Sequence, residues 1–116
     1  MKIINQSKKT VISENAKTAY TVLQRFKGLL GRKHFVDSDA LVLKPCNSVH
    51  TFFMQFPIDI LFVDRNRRVV KVISNLKPFR LSEACLKAIF AIELPSGKIQ
   101  QTFTTPGDTI VIGDTP

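Results

Sequence analysis

Apolar and polar positions alternate with period two along most of this chain, and turn-forming residues punctuate the alternation. Lys2 to Asn5 and Thr10 to Ser13 flank the polar run Gln6-Ser7-Lys8-Lys9, which predicts a β-hairpin. Ala40 to Leu43 reads as a strand ended by Lys44-Pro45. From Pro45 to Asp64 the sequence PCNSVHTFFMQFPIDILFVD is the most apolar stretch. Ser48, His50, Phe52 and Met54 share one parity there, and Val49, Thr51 and Phe53 the other. Beyond Pro57, Ile58, Ile60 and Phe62 alternate with Asp59, Leu61 and Val63. This predicts two strands broken by the proline, covered on both faces like the central strands of a sandwich or barrel.

Further turns fall at Asp64-Arg65-Asn66-Arg67, Ser96-Gly97 and Pro106-Gly107-Asp108. They delimit strands at Arg68 to Ser74, Ala88 to Leu94, Ile99 to Phe103 and Thr109 to Ile112. Leu81 to Lys87 fits either one or two helical turns or a loop. The period changes once. Ala19, Val22, Leu23, Phe26, Leu29 and Leu30 fall on one helical face, predicting a helix from Thr18 to about Leu30 with Thr18 or Asn15 as its cap and Gly31 past its end. Phe26 should sit at the centre of the stripe packed on the sheet. The expected fold is mainly β, an antiparallel β-sandwich or partly closed barrel with one substantial α-helix near the N-terminus.

A chain of 116 residues, 44% hydrophobic, is expected to form one domain spanning residues 1–116. Its formal net charge of +8 is less ordinary. It favours an anionic ligand or protein partner, a nucleic acid or an anionic membrane face, although a merely soluble basic surface carries the same charge. Arg65, Arg67, Arg68, Lys71, Lys77 and Arg80 form a run without an acidic residue, and Arg25, Lys27, Arg32 and Lys33 form a second group. Arg65, Arg67, Arg68 and Lys71 are the candidate anion-binding residues, because guanidinium forks suit phosphate and carboxylate. Most phenylalanines read as internal, so no aromatic platform for base stacking is evident, and no sequence-specific nucleic-acid motif appears.

The chemistry-bearing candidates are Cys46, His50 and Asp59. A Cys-x3-His spacing supplies at most two zinc ligands and lacks a second pair, so no metal and no cofactor are expected. The same two residues could form a nucleophile and its base, but no orienting third group stands beside them. Ser48 and His50, on one strand face, meet the same objection. Asp59, set among isoleucines, should accept backbone N–H bonds or pair with His50 or an arginine; a shielded acid or base is the functional alternative. Cys46 and Cys85 form no paired motif and read as reduced thiols of a cytoplasmic protein. No signal-peptide pattern opens the sequence, and the run IDILFV is far too short to cross a bilayer.

Four ordered segments resemble the DUF192 family: RFKGLLGR at 25–32, SVHTFFMQFPIDILFVD at 48–64, ELPSG at 93–97 and PGD at 106–108. The resemblance runs from about Val11 onward and implies a mainly-β, sandwich-like domain. It brings no established activity. One departure falls in the Asp64 turn, where Arg67 stands in place of the family's usual glycine; Asn66 is the residue there expected to take a left-handed conformation. The functional expectation is therefore a small non-enzymatic binding or accessory domain with a basic surface. The alternative is an enzyme of unknown reaction with its site near Cys46, His50 and Asp59.

Overall fold

The computed structural model describes residues 1–19, 39–51 and 55–113. Among them lie eight strands and one helical turn: β1 (Lys2–Asn5), β2 (Thr10–Ser13), β3 (Asn15–Ala19), β4 (Asp39–Leu43), β5 (Ile58–Val63), β6 (Val69–Leu76), β7 (Phe90–Pro95), α1 (Lys98–Gln101) and β8 (Ile110–Gly113). They form two sheets, not a closed barrel. The smaller has the order β2-β1-β8 and the larger β3-β4-β7-β5-β6.

The centre of the larger sheet is buried on both faces, and the alternation within β5 and β7 explains why. Leu61, Val63, Phe90, Ile92 and Leu94 meet Ile3, Ile12 and Ile110 of the smaller sheet in one core cluster. Ile58, Ile60, Phe62 and Ala91 point the other way, into a second cluster with Leu41, Leu43, Val49 and Ala88. Every residue of β5 and β7 is buried. Each large aliphatic or aromatic side chain so enclosed contributes about 1.5–3 kcal/mol relative to leaving it in water. The second cluster is partly roofed by a ribbon in which residues 46–51 run beside residues 79–89. Its rungs include Thr51 N–H to Arg80 O, Ser82 N–H to Val49 O, Cys85 N–H to Asn47 O and Cys46 N–H to Ile89 O.

Several sequence expectations are corrected. Asn15 and Thr18 do not cap a helix; they belong to β3, whose five residues pair in parallel with β4 from Asn15↔Asp39 to Ala19↔Leu43. The sheet is therefore mixed rather than wholly antiparallel. The remainder of the expected helix, with Phe26, lies outside the described residues. Of the two strands expected around Pro57, β5 is the one found among the described residues. The segment before it spends its backbone bonds on the 79–89 loop and keeps a single bridge, His50↔Leu81; residues 52–54 lie outside the description. Leu81 to Lys87 takes the loop alternative of its two expected forms, with Leu81 in the bridge to His50. Ile99 to Phe103 is not a strand: α1 occupies its start, and the chain then closes with Phe103 N–H to Gln100 O and Thr104 N–H to Ile99 O.

Candidate anion-binding site

Asp59 explains why α1 replaces the expected strand. Its side chain, 1% exposed, points toward the small-sheet face like Leu61 and Val63. One carboxylate oxygen accepts the N–H groups of Gly97 at 3.1 Å and Ile99 at 2.9 Å, and the other accepts that of Asn75 at 2.8 Å. The first two are donors that a helix start leaves without intrahelical partners, and Gly97 brings no capping side chain of its own. Gly97 itself sits at φ 95°, where a side chain would be strained. Asp59 thus ties together β5, the end of β6 and the β7–α1 turn.

His50 is exposed on the ribbon, and the Cys46 thiol donates to Ser48 O at 2.9 Å. Cys46 also lines a shallow groove of about 350 Å³ with Pro45, Asn47, Ala88 and Ile89. Asp59 is not among the described residues of that groove, and its three bonds are with backbone groups elsewhere. Neither cysteine is in a disulfide, and no group of three or more metal-ligating side chains occurs among the described residues.

The basic residues come together differently. In the β5–β6 turn, Asp64 Oδ1 accepts the N–H groups of Asn66 at 2.8 Å and Arg68 at 3.0 Å, while Arg67 N–H bonds to Asp64 O. The left-handed residue is Arg67, at φ 65°, and not Asn66. The Asp64 bonds fold residues 64–67 into a tight turn, and Arg67 is its last residue before the chain turns into β6. Glycine normally takes such a position. Here an arginine does, which directs its side chain outward from the tip.

This turn is laced to two others. Arg67 O accepts Ile110 N–H at 2.8 Å, Asp108 O accepts Val69 N–H, and Arg68 bridges Thr109. Thr109 in turn donates its N–H to Ser7 Oγ at 2.8 Å, and Gln6 N–H bonds to Thr109 O. Lys8 Nζ reaches Asp108 Oδ2 at 2.8 Å and Thr105 Oγ1 at 2.8 Å. The β1–β2 turn, the β5–β6 turn and residues 102–109 thereby make one end of the molecule. Five cations gather there: Lys8, Lys9, Arg65, Arg67 and Arg68.

The two carboxylates at this end are turned inward. Asp64 is engaged by its own turn. Asp108, 6% exposed, is pulled upward by burial, but hydrogen bonds from Asn5, Lys8 and the Thr105 N–H prevail and hold its pKa below the ordinary carboxylate value. Lys9, Arg65, Arg67 and Arg68 are exposed, and no ion pair holds them among the described residues. Lys71 stands apart. It is half-buried on β6 and lies 3.8 Å from Glu83.

Three residues escaped the sequence reading. Lys8 and Lys9 looked like an unrelated turn, since their adjacency to the arginines is made by the β1–β8 pairing alone. Glu93 gave no signal, because a charged residue in a strand reads as facing water. It lies between Leu41 and Ile60 on the second core face, 6% exposed. Among the described residues no hydrogen bond or ion pair reaches its carboxyl, and burial raises its pKa to about 8.

Comparison with known proteins places this architecture. The DUF192 family model, described as "Uncharacterized ACR", matches residues 3–112. UPF0127 protein TK1120 of Thermococcus kodakarensis is 35% identical over 93% of this chain and 71% of its own length. UPF0127 protein PH1112 of Pyrococcus horikoshii is 33% identical over 93% and 96%. A protein of unknown function from Novosphingobium aromaticivorans shares the fold with a TM-score of 0.81 at 22% identity, over 96% of this chain and 82% of that one. A putative transcription regulator from Sinorhizobium meliloti shares it at 0.79 and 17%, over 95% and 89%. With a family match across nearly the whole sequence and relatives about one third identical, the chain belongs to the DUF192 family.

Proposed function

We propose that this protein is a one-domain, non-enzymatic binding module whose basic end takes an anionic partner. What supports the reading above all is the division of charge at that end. Four cations project from turn tips, while both nearby carboxylates are turned toward backbone or core groups. Like charges so close repel one another, so stability alone gives no reason to assemble them. A partner bearing phosphates or carboxylates supplies the missing counter-charge, and arginine forks engage such groups bidentately.

The test compares two triple variants. Arg65, Arg67 and Arg68 changed to Ser should lower retention on a heparin column and reduce the salt dependence of polyanion binding by about two units of log–log slope. Lys2, Lys17 and Lys77 changed to Ser remove the same charge from other parts of the fold and should have a smaller effect. Melting should barely change in either, since exposed charges contribute roughly 0–1 kcal/mol. Equal loss of retention in both variants would reduce the basic end to a share of the net charge.

A further inference from the structure

Resting on the basic-end reading, we infer that the partner is a single-stranded nucleic acid, with phosphates along Lys9, Arg65, Arg67 and Arg68 and a base stacked on Phe103. Phe103 is one of two exposed phenylalanines among the described residues, at 68% against 57% for Phe79, and it is the one at the basic end. It follows α1 in the 102–109 segment. Thr10 Oγ1 donates to Thr102 O at 2.9 Å, which sets the segment bearing Phe103 beside the turn bearing Lys9.

A second observation touches the same side chains: of the five non-glycine residues with left-handed backbones among the described residues, Asn75 and Phe79 lie elsewhere and three lie at this end. Lys9, Arg67 and Phe103 have left-handed backbones, at φ 58°, 65° and 58°. For residues other than glycine this costs on the order of 1 kcal/mol or more each. Glycine fills that role nearby at Gly107, φ 97°. At three neighbouring turns, then, the chain keeps a cation, a cation and an aromatic ring where glycine would be easier. The three share one property: each presents its side chain from a turn at the basic end.

Cations beside an exposed ring match single-stranded nucleic acid, whose backbone needs counter-charge and whose bases offer flat faces to stack on. An acidic peptide would use the cations and leave the ring idle. Duplex DNA sequesters its base faces, and four-residue α1 is too short to enter a major groove as a reading helix.

The experiment measures fluorescence anisotropy of a labelled oligothymidine, an abasic strand of the same length and a duplex, each at low salt, with heparin retention in parallel. The intact protein should bind oligothymidine more tightly than the other two. Phe103→Ala should weaken oligothymidine binding about fivefold or more, the effect of losing one stacked base. It should also erase the preference over the abasic strand and leave heparin retention unchanged. Phe103→Tyr, which keeps a ring, should retain the preference. Equal affinity for oligothymidine and the abasic strand, or tighter binding of poly-glutamate, would overturn the nucleic-acid assignment and leave the basic-end reading standing. Retention indifferent to the arginines would remove both.

Discussion

Asp59 and Glu93 occupy neighbouring central strands of one sheet, and their fates differ because they face opposite sides. Asp59 pairs across to Leu94, and Glu93 to Ile60. Asp59 reaches the edge of its face, where a bulge in β6 and the start of α1 offer three N–H groups. Glu93 has Leu41 and Ile60 on either side and no donor among the described residues. A buried carboxylate that collects hydrogen bonds organises backbone; one surrounded by aliphatic side chains holds its proton instead. The lesson is that burial alone does not fix the role of an acid. The donors supplied by the segment opposite do.

The largest expected effect comes from removing the first of these acids. Asp59→Ala leaves three N–H groups in or near the interior without an acceptor and should cost about 4 kcal/mol, read in a urea melt. A cost below about 1 kcal/mol would mean that water replaces the carboxylate without loss.

Glu93 should show itself through pH. An unfolded chain releases this proton near 4.5, whereas the folded protein keeps it to about 8. Between these values the unfolded state binds fewer protons, so stability falls as pH rises, by about 1.4 kcal/mol per unit for this group. Glu93→Gln, which cannot ionise, should match the parent near pH 4.5 and exceed it by about 4 kcal/mol near pH 8. Parallel stability curves for the two proteins over that range would show that the carboxyl finds a compensating partner.

Asp108 provides the smaller, opposite case. Its folded pKa is lowered, so its contribution is present above the ordinary value of 3.8 and is lost as pH falls through the lower folded value. Asp108→Asn should cost about 1–2 kcal/mol at neutral pH by weakening its bonds to Asn5 and Lys8. The cost should shrink in acid, where the parent's carboxyl is also neutral.

What the sequence disclosed follows from where its signals were local. The β1–β2 hairpin and β5 lie where alternation and turn residues marked them. The Pro106-Gly107-Asp108 turn does as well. β3 was hidden because Asn-Ala-Lys-Thr-Ala has little apolar character, and its strand state comes from pairing with the distant β4. Asp59 was recognisable as a buried acid, but its partners at Asn75, Gly97 and Ile99 were not. The basic end was half legible. The Arg65–Arg68 cluster is contiguous in sequence, whereas Lys8, Lys9 and Phe103 join it only through tertiary bonds.

The position of β1 bears on how the molecule is assembled. It lies between β2 and β8, with Lys2 opposite Gly113 and Asn5 opposite Ile110. The first hairpin can form early from residues close together in sequence, but its second edge stays unpaired until the other extremity of the chain is delivered. Until then Ile3 and Ile12 lack Ile110, and the turn bearing Lys8 and Lys9 has no Thr109 to hold it. Pairings between remote segments form slowly because the loop entropy must be spent before the contact returns it. The small sheet is therefore a clasp. It seals one core face and joins the basic turns through the same pairing, so a chain lacking β8 would have neither.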